Sequence, residues 1–97
     1  MSMTVSKIQS VLIPVLKEHG VSRGVLFGSY AQGYADERSD VDLLVDSGLK
    51  GFAFTRLVED VHETLNKPVD VMDIAHIAKD SPIEREIQRT GVTIYEK

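Results

Sequence analysis

Two aspartates, Asp40 and Asp42, stand one residue apart where the apolar run Leu43-Leu44-Val45 begins. A Gly-Ser pair, Gly28-Ser29, closes an earlier apolar run, Val25-Leu26-Phe27. On a strand, residues i and i+2 share a face about 6–7 Å apart. Two carboxylates so placed repel each other, and burying them without a counter-charge is costly. A divalent cation resolves the conflict. An all-oxygen ligand set suits Mg²⁺, which prefers one or two carboxylates together with substrate phosphates. If a helix begins near Ser29, its free N–H groups form an anion site, and Gly28 lets a phosphate approach the backbone. Either motif alone is common at strand edges and turns. Together, flanking a short helix-sized segment, they imply a phosphate cradle facing a metal-binding carboxylate pair, and hence nucleotide chemistry.

Transfer chemistry of this kind uses one metal to orient the phosphates and a second to activate the attacking hydroxyl. A third carboxylate would help to hold the second ion. Asp70 and Asp73 are the candidates, and their odd spacing puts them on opposite faces of a strand. Asp70 is favoured, because it lies between Val69 and Val71 inside the apolar run, whereas Asp73 sits nearer the strand end and is more easily solvated. The other polar residues read as structure. His19, His62 and His76 lack the spacing of a metal cluster. Tyr30 and Tyr34 read as packing residues, Arg38 and Lys67 as solvated surface, and Glu84, Arg85, Glu86 and Arg89 as an exposed helix face.

The elements that position these residues follow from apolar periodicity. Ile8, Val11, Leu12, Val15 and Leu16 predict a helix over about 5–19, ended by Gly20, with Pro14 kinking it or delaying its start. Residues 21–27 read as a strand, 29–35 as a short helix and 36–39 as a polar loop. Residues 40–45 read as a second strand, buried on both faces. Phe54, Leu57, Val58, Val61 and Leu65 predict a helix over 52–66, and 69–74 a third strand. Ser81-Pro82-Ile83-Glu84 has the form of a helix start, Gly91 closes that helix, and 92–95 form a last strand. Strands alternating with helices indicate an α/β sheet.

The 97 residues suffice for one domain, spanning 1–97, with one modest core. Apolar content of 42% and charged content of 27% fit a folded globular chain. No apolar run is long enough to span a membrane, the first residues lack a signal pattern, and the absence of cysteine excludes thiolate metal sites. A cytoplasmic protein is expected. A net charge of −4 argues against direct nucleic-acid binding, which wants a basic surface, but not against a metal-bridged nucleotide.

The ordered set Gly28-Ser29, Asp40-x-Asp42 and Asp70 resembles the nucleotidyltransferase superfamily related to DNA polymerase beta, in its minimal branch, the MNT domains. Members typically read G-S-x-A-[RQ]-G-x-A-x-x-x-S-D-x-D-L, and Ala31, Gln32, Gly33, Ala35, Ser39 and Leu43 stand in step with that pattern. The resemblance implies a nucleotidyltransferase fold, a mixed β-sheet flanked by α-helices. It implies two Mg²⁺ ions held by Asp40, Asp42 and Asp70, and ATP as substrate with its triphosphate on Gly28 and Ser29. It also implies a partner, since many minimal members are antitoxins of HEPN-domain ribonuclease toxins, some of which receive AMP on a tyrosine. Gln32 stands where arginine is frequent, which touches nucleotide or acceptor contacts but not the metal ligands.

Three readings follow. The first is a Mg²⁺-dependent transferase acting on a partner toxin's tyrosine, as part of a homo- or hetero-oligomer. The second is an antitoxin that masks its toxin by contact alone, with little or no chemistry. The third, a transferase of small molecules such as aminoglycosides, would require acceptor-binding elements for which this chain has little room.

Overall fold

The computed structural model describes residues 3–97. Helix α1 (Val5–Glu18) is capped by Thr4, whose hydroxyl accepts from the Lys7 N–H at 3.1 Å. Pro14 lies inside it, and neither delays the start nor ends the helix. The proline and Ser10, whose carbonyl loses its helical donor, are both exposed, so water can satisfy the freed group. The helix stops where Gly20 turns left-handed (φ +73°): the Gly20 N–H donates to Lys17 O and the Val21 N–H to Leu16 O, a Schellman closure.

Strands β1 (Arg23–Phe27), β2 (Val41–Asp46), β3 (Val69–Asp73) and β4 (Val92–Glu96) form one sheet in the order β3-β2-β1-β4. β1 runs antiparallel to β2 and to β4, while β2 and β3 are parallel. The sheet is therefore mixed. Helix α2 (Gly28–Gln32) joins β1 to β2, α3 (Phe52–Leu65) crosses from β2 to β3, and α4 (Pro82–Thr90) leads into β4. A single 3₁₀ turn, Ile74–His76, follows β3.

Strand alternation divides the core in two. Leu26, Val41, Leu43, Val45 and Val69 face α1 and α3, meeting Ile8, Leu12, Leu16, Leu57, Val61 and Leu65 in the main core. Val25 and Phe27 point the other way and pack with Ile87 of α4, flanked by Leu44, Met72, Ile77 and Ile83. β2 consequently alternates between fully and partly buried residues instead of being buried on both faces, because the short α4 covers less of its face than α1 and α3 cover of theirs. Asp42 lies on that less covered face.

The two larger helices are tied to each other and to the sheet by side chains. His19 Nε2 and Asp60 Oδ2 are 2.6 Å apart, linking α1 to α3. His62 Nε2 donates to the Val69 carbonyl at 2.7 Å, fixing the end of α3 at the start of β3. Asn66 ends α3 in the left-handed conformation, φ 52°. At α4, Ser81 caps the N–H of Glu84, while the Glu84 carboxylate reaches back to the Asp80 N–H, one residue before the cap. Among the described residues, no helix is long and apolar enough to cross a membrane.

Candidate active site

The sheet register brings the sequence-predicted residues to one end of one face. Phe27, the last residue of β1, pairs with Asp42, and Asp42 pairs with Asp70 across the parallel β2–β3 ladder. Paired residues share a face, so both carboxylates stand on the side that α4 only partly covers. Asp40 lies just ahead of β2 and is exposed.

Gly28 follows Phe27 directly and opens α2 with φ +73°. A Cβ built on it would collide with Oδ2 of Asp42. Glycine is thus required twice, by its backbone conformation and by the carboxylate against it. The helix is shorter than the sequence suggests: five residues, ended by Gly33 in the left-handed conformation, with Ser29 O accepting from the Gly33 and Tyr34 N–H groups. Five residues sum few peptide dipoles, so anion binding here would rest on individual first-turn N–H groups more than on a macrodipole.

Burial pushes the Asp42 carboxyl above the usual range, and Asp70, Asp40 and Glu86, in that order, push it further. Every neighbour acting on Asp42 is therefore an anion. Glu86 was not anticipated. It comes from α4 and is half-buried, as is Glu84, whereas Arg85 and Arg89 of the same helix are exposed. Only the position of Glu86 beside the buried Ile87 hinted in the sequence that it could turn toward the sheet. Gln32 Nε2 donates to Glu86 Oε1 at 3.5 Å, so the residue standing where the family often has arginine touches this fourth carboxylate.

Asp73 belongs elsewhere. It pairs in register with Val45, on the opposite face from Asp42. It is also the buried member of the pair, 3% exposed, while Asp70 is exposed, the reverse of the expectation from their neighbours. The reason is local. The Ser47 hydroxyl and N–H and the Ala75 N–H all donate to Asp73, giving its carboxylate the partners that burial requires. Burial would raise its pKa, but Ser47, Ala75 and His76 outweigh it and hold the carboxyl below the usual value.

Two further expectations change. Lys67 is not simply solvated, since its ammonium donates to the buried Tyr30 hydroxyl at 2.5 Å. Tyr34 does not pack and is 66% exposed. Arg38 is exposed, its N–H donating to Asp36 Oδ1 in the loop before Asp40.

Among the described residues, no three carboxylate or imidazole groups close around one point as a ready-made metal cage. The arrangement is an open set of hard oxygen donors beside a glycine cradle. That fits Mg²⁺, which keeps waters and substrate phosphates in its shell, better than a metal wanting an all-protein cage. The mutual repulsion at Asp42 is what a bound cation would relieve.

A sequence profile of the family "Polymerase beta, Nucleotidyltransferase" matches residues 10–97. The "Putative protein adenylyltransferase MJ0435" of Methanocaldococcus jannaschii is 40% identical over 72 residues, which is 72% of this chain and 77% of that protein. Among solved structures, a toxin–antitoxin crystallised with AMP-PNP superposes with TM-score 0.78 at 22% identity, covering 92% of this chain and 73% of the other. A tri-AMPylated Shewanella oneidensis HEPN toxin in complex with MNT antitoxin gives TM-score 0.72 at 19% identity, covering 95% and 72%. With the profile spanning nearly all of the chain and the mixed sheet repeated in these structures, the protein belongs to the polymerase beta nucleotidyltransferase family.

Proposed function

We propose that this chain, acting as one domain, is a Mg²⁺-dependent adenylyltransferase that moves AMP from ATP to a tyrosine hydroxyl of a HEPN-type toxin and so serves as its antitoxin. The observation that carries the reading is the three-residue juxtaposition of Asp70 opposite Asp42 in register, with the Gly28 backbone against the Asp42 carboxylate. The adenylyltransferase name of the Methanocaldococcus relative and the AMPylated toxin in the Shewanella complex support AMP as the group transferred and a toxin as the acceptor. The AMP-PNP in the other complex supports ATP as donor.

Asp40, Asp42 and Asp70 would hold the metal, which supplies charge neutralisation at the phosphates and acidifies the attacking hydroxyl. The first-turn N–H groups at Gly28 and Ser29 would receive the triphosphate oxygens, with Gly28 placing no Cβ between that backbone and the Asp42 carboxylate. An acceptor would approach from the face of the sheet that α4 leaves partly open, where Asp42 is only half-buried. The acceptor oxygen forms a bond to the α-phosphorus as the bond to the β-phosphate oxygen breaks. Pyrophosphate leaves with the electron pair, and the hydroxyl proton passes to a carboxylate or to solvent. The exposure of Asp40 and Asp70 fits a site completed by substrates and a partner surface.

The test is intact mass of the partner after incubation with this protein, ATP and Mg²⁺, beside an Asp40→Asn/Asp42→Asn control. Addition of AMP that the control lacks is the expected result. An unmodified partner in a stable complex would sink the catalytic reading and leave an antitoxin that acts by contact.

A further inference from the structure

Helix α2 carries both halves of the phosphate cradle, yet at five residues it is too short to hold itself. It rests on β1, β2 and α4, and it has side-chain ties on two sides. On the α4 side, Gln32 reaches Glu86. On the β3 side, Lys67 reaches Tyr30: the ammonium donates to the phenol oxygen at 2.5 Å and lies 4.8 Å from the ring centroid. Tyr30, adjacent to Ser29, is 5% exposed and part of the main core. Lys67 stands three residues before Asp70, in the segment between α3 and β3. Of the two ties, that of Lys67 is the stronger: each involves one ionised partner, but the Lys67 bond spans 2.5 Å against 3.5 Å for Gln32, and the ring face adds attraction for the same cation.

We propose that Lys67 is a positioning residue for the nucleotide site: by gripping Tyr30 it locks the segment leading to Asp70 against the helix that presents Gly28 and Ser29. This rests on the nucleotidyltransferase reading above. Lys67 touches neither reacting atoms nor substrate in this scheme. It sets the angle of α2, and with it the separation of the triphosphate cradle from the Asp42–Asp70 pair. Lysine suits the position because its flexible stem crosses the gap while its terminal charge engages oxygen and ring together.

The experiment compares wild type with Lys67→Met, Lys67→Arg and Tyr30→Phe in the full chain. Amide exchange is followed at Gly33 and Tyr34, whose N–H groups donate to Ser29 O, with α1 amides as control. Titration with Mg·AMP-PNP reports the cradle, and turnover on the HEPN partner at saturating ATP reports the chemistry. Lys67→Met and Tyr30→Phe are expected to speed exchange at Gly33 and Tyr34 about fivefold or more, with α1 unaffected. Both should weaken Mg·AMP-PNP binding about five- to tenfold while saturated turnover changes by less than about twofold. Lys67→Arg, which keeps a cationic donor, should restore both. A lower melting temperature with unchanged nucleotide affinity would reduce the contact to a structural one and overturn the proposal, as would unchanged α2 exchange. Failure of the wild type itself to bind Mg·AMP-PNP would instead overturn the nucleotidyltransferase reading, and this proposal with it.

Discussion

Gly28 and Asp42 are in steric contact: any side chain at position 28 would displace the Asp42 carboxylate. The proposed phosphate cradle and the central metal-binding candidate are thus a single packing unit. Gly28→Ala should disable both, since the methyl group must push Asp42 aside while the backbone is held at a positive φ. The left-handed conformation alone costs a residue with a Cβ about 1–2 kcal/mol. Loss of Mg·AMP-PNP binding and of transfer, with a melting temperature lower by about 4–8 °C for each kcal/mol, is expected from calorimetry and the partner-mass assay. Gly28→Ala retaining wild-type affinity would show that phosphate does not pass this backbone.

Asp42 has the opposite relation to stability. Its folded carboxyl is raised by burial and then by Asp70, Asp40 and Glu86, so at neutral pH the ionised form opposes folding. Asp42→Asn should therefore melt higher than wild type without metal, while transferring no AMP. Solvent screening at this half-buried group keeps the gain below about 1 kcal/mol. The difference should shrink as pH falls through the raised pKa, because wild type then relieves its own repulsion by protonation. Added Mg²⁺ should stabilise wild type only. A lower melting point for Asp42→Asn at pH 7 without metal would contradict the repulsion.

The placement of Gly28, Ser29 and Asp42 at adjoining strand ends was legible because each sits within a few residues of a strand edge, where i, i+2 spacing and a Gly-Ser turn have direct geometric meaning. The alternating helices and strands were legible for the same reason, down to the Ser81 cap and the Gly20 stop. What needed the fold was every relation between distant segments. The parallel β2–β3 register that sets Asp70 opposite Asp42 is not written in either strand. Nor is the loop path that brings Ser47 to Asp73, and without it Asp73 looked like the solvated member of the pair. Glu86 and Lys67 read as ordinary surface charges because their partners, Asp42 and Tyr30, lie on elements that only tertiary packing brings near.

Asp73 predicts an acid-sensitive element remote from the chemistry. Burial raises its carboxyl, but the Ser47 hydroxyl, the Ala75 and Ser47 N–H groups and His76 bring it below the usual value of 3.8. A depressed folded pKa contributes stability that is complete above the unfolded value and lost as pH falls through the folded one. Asp73→Asn should therefore be less stable than wild type at pH 7, by about 1–3 kcal/mol for a buried donor left without its charged acceptor. The gap should narrow only below the unfolded value. Denaturant melts from pH 7 to pH 2 test this, and a gap that is constant with pH would mean that the ionised form of Asp73 is not what holds the Ser47 turn.

Gln32 and Glu86 offer a test of how the α4 carboxylate is managed. The Gln32 amide reaches Glu86 at 3.5 Å, a long, neutral-donor bond that leaves the charge of Glu86 acting on Asp42. A guanidinium at position 32 can pair with the same carboxylate through two donors. Gln32→Arg should stabilise the fold, and because position 32 is exposed to solvent and Glu86 is only half-buried the gain should stay within about 0.2–1 kcal/mol. The gain should vanish in a Glu86→Gln background, since the double-mutant cycle isolates the pair. It should also fall in 1 M salt, where the screening length drops to about 3 Å. The same substitution should lower the Asp42 pKa, because it neutralises one of the anions that raise it. Carboxyl titration by NMR would read that shift directly. An Asp42 pKa unmoved by both Gln32→Arg and Glu86→Gln would separate α4 from the electrostatics of the site and leave burial and the two strand aspartates as its whole cause.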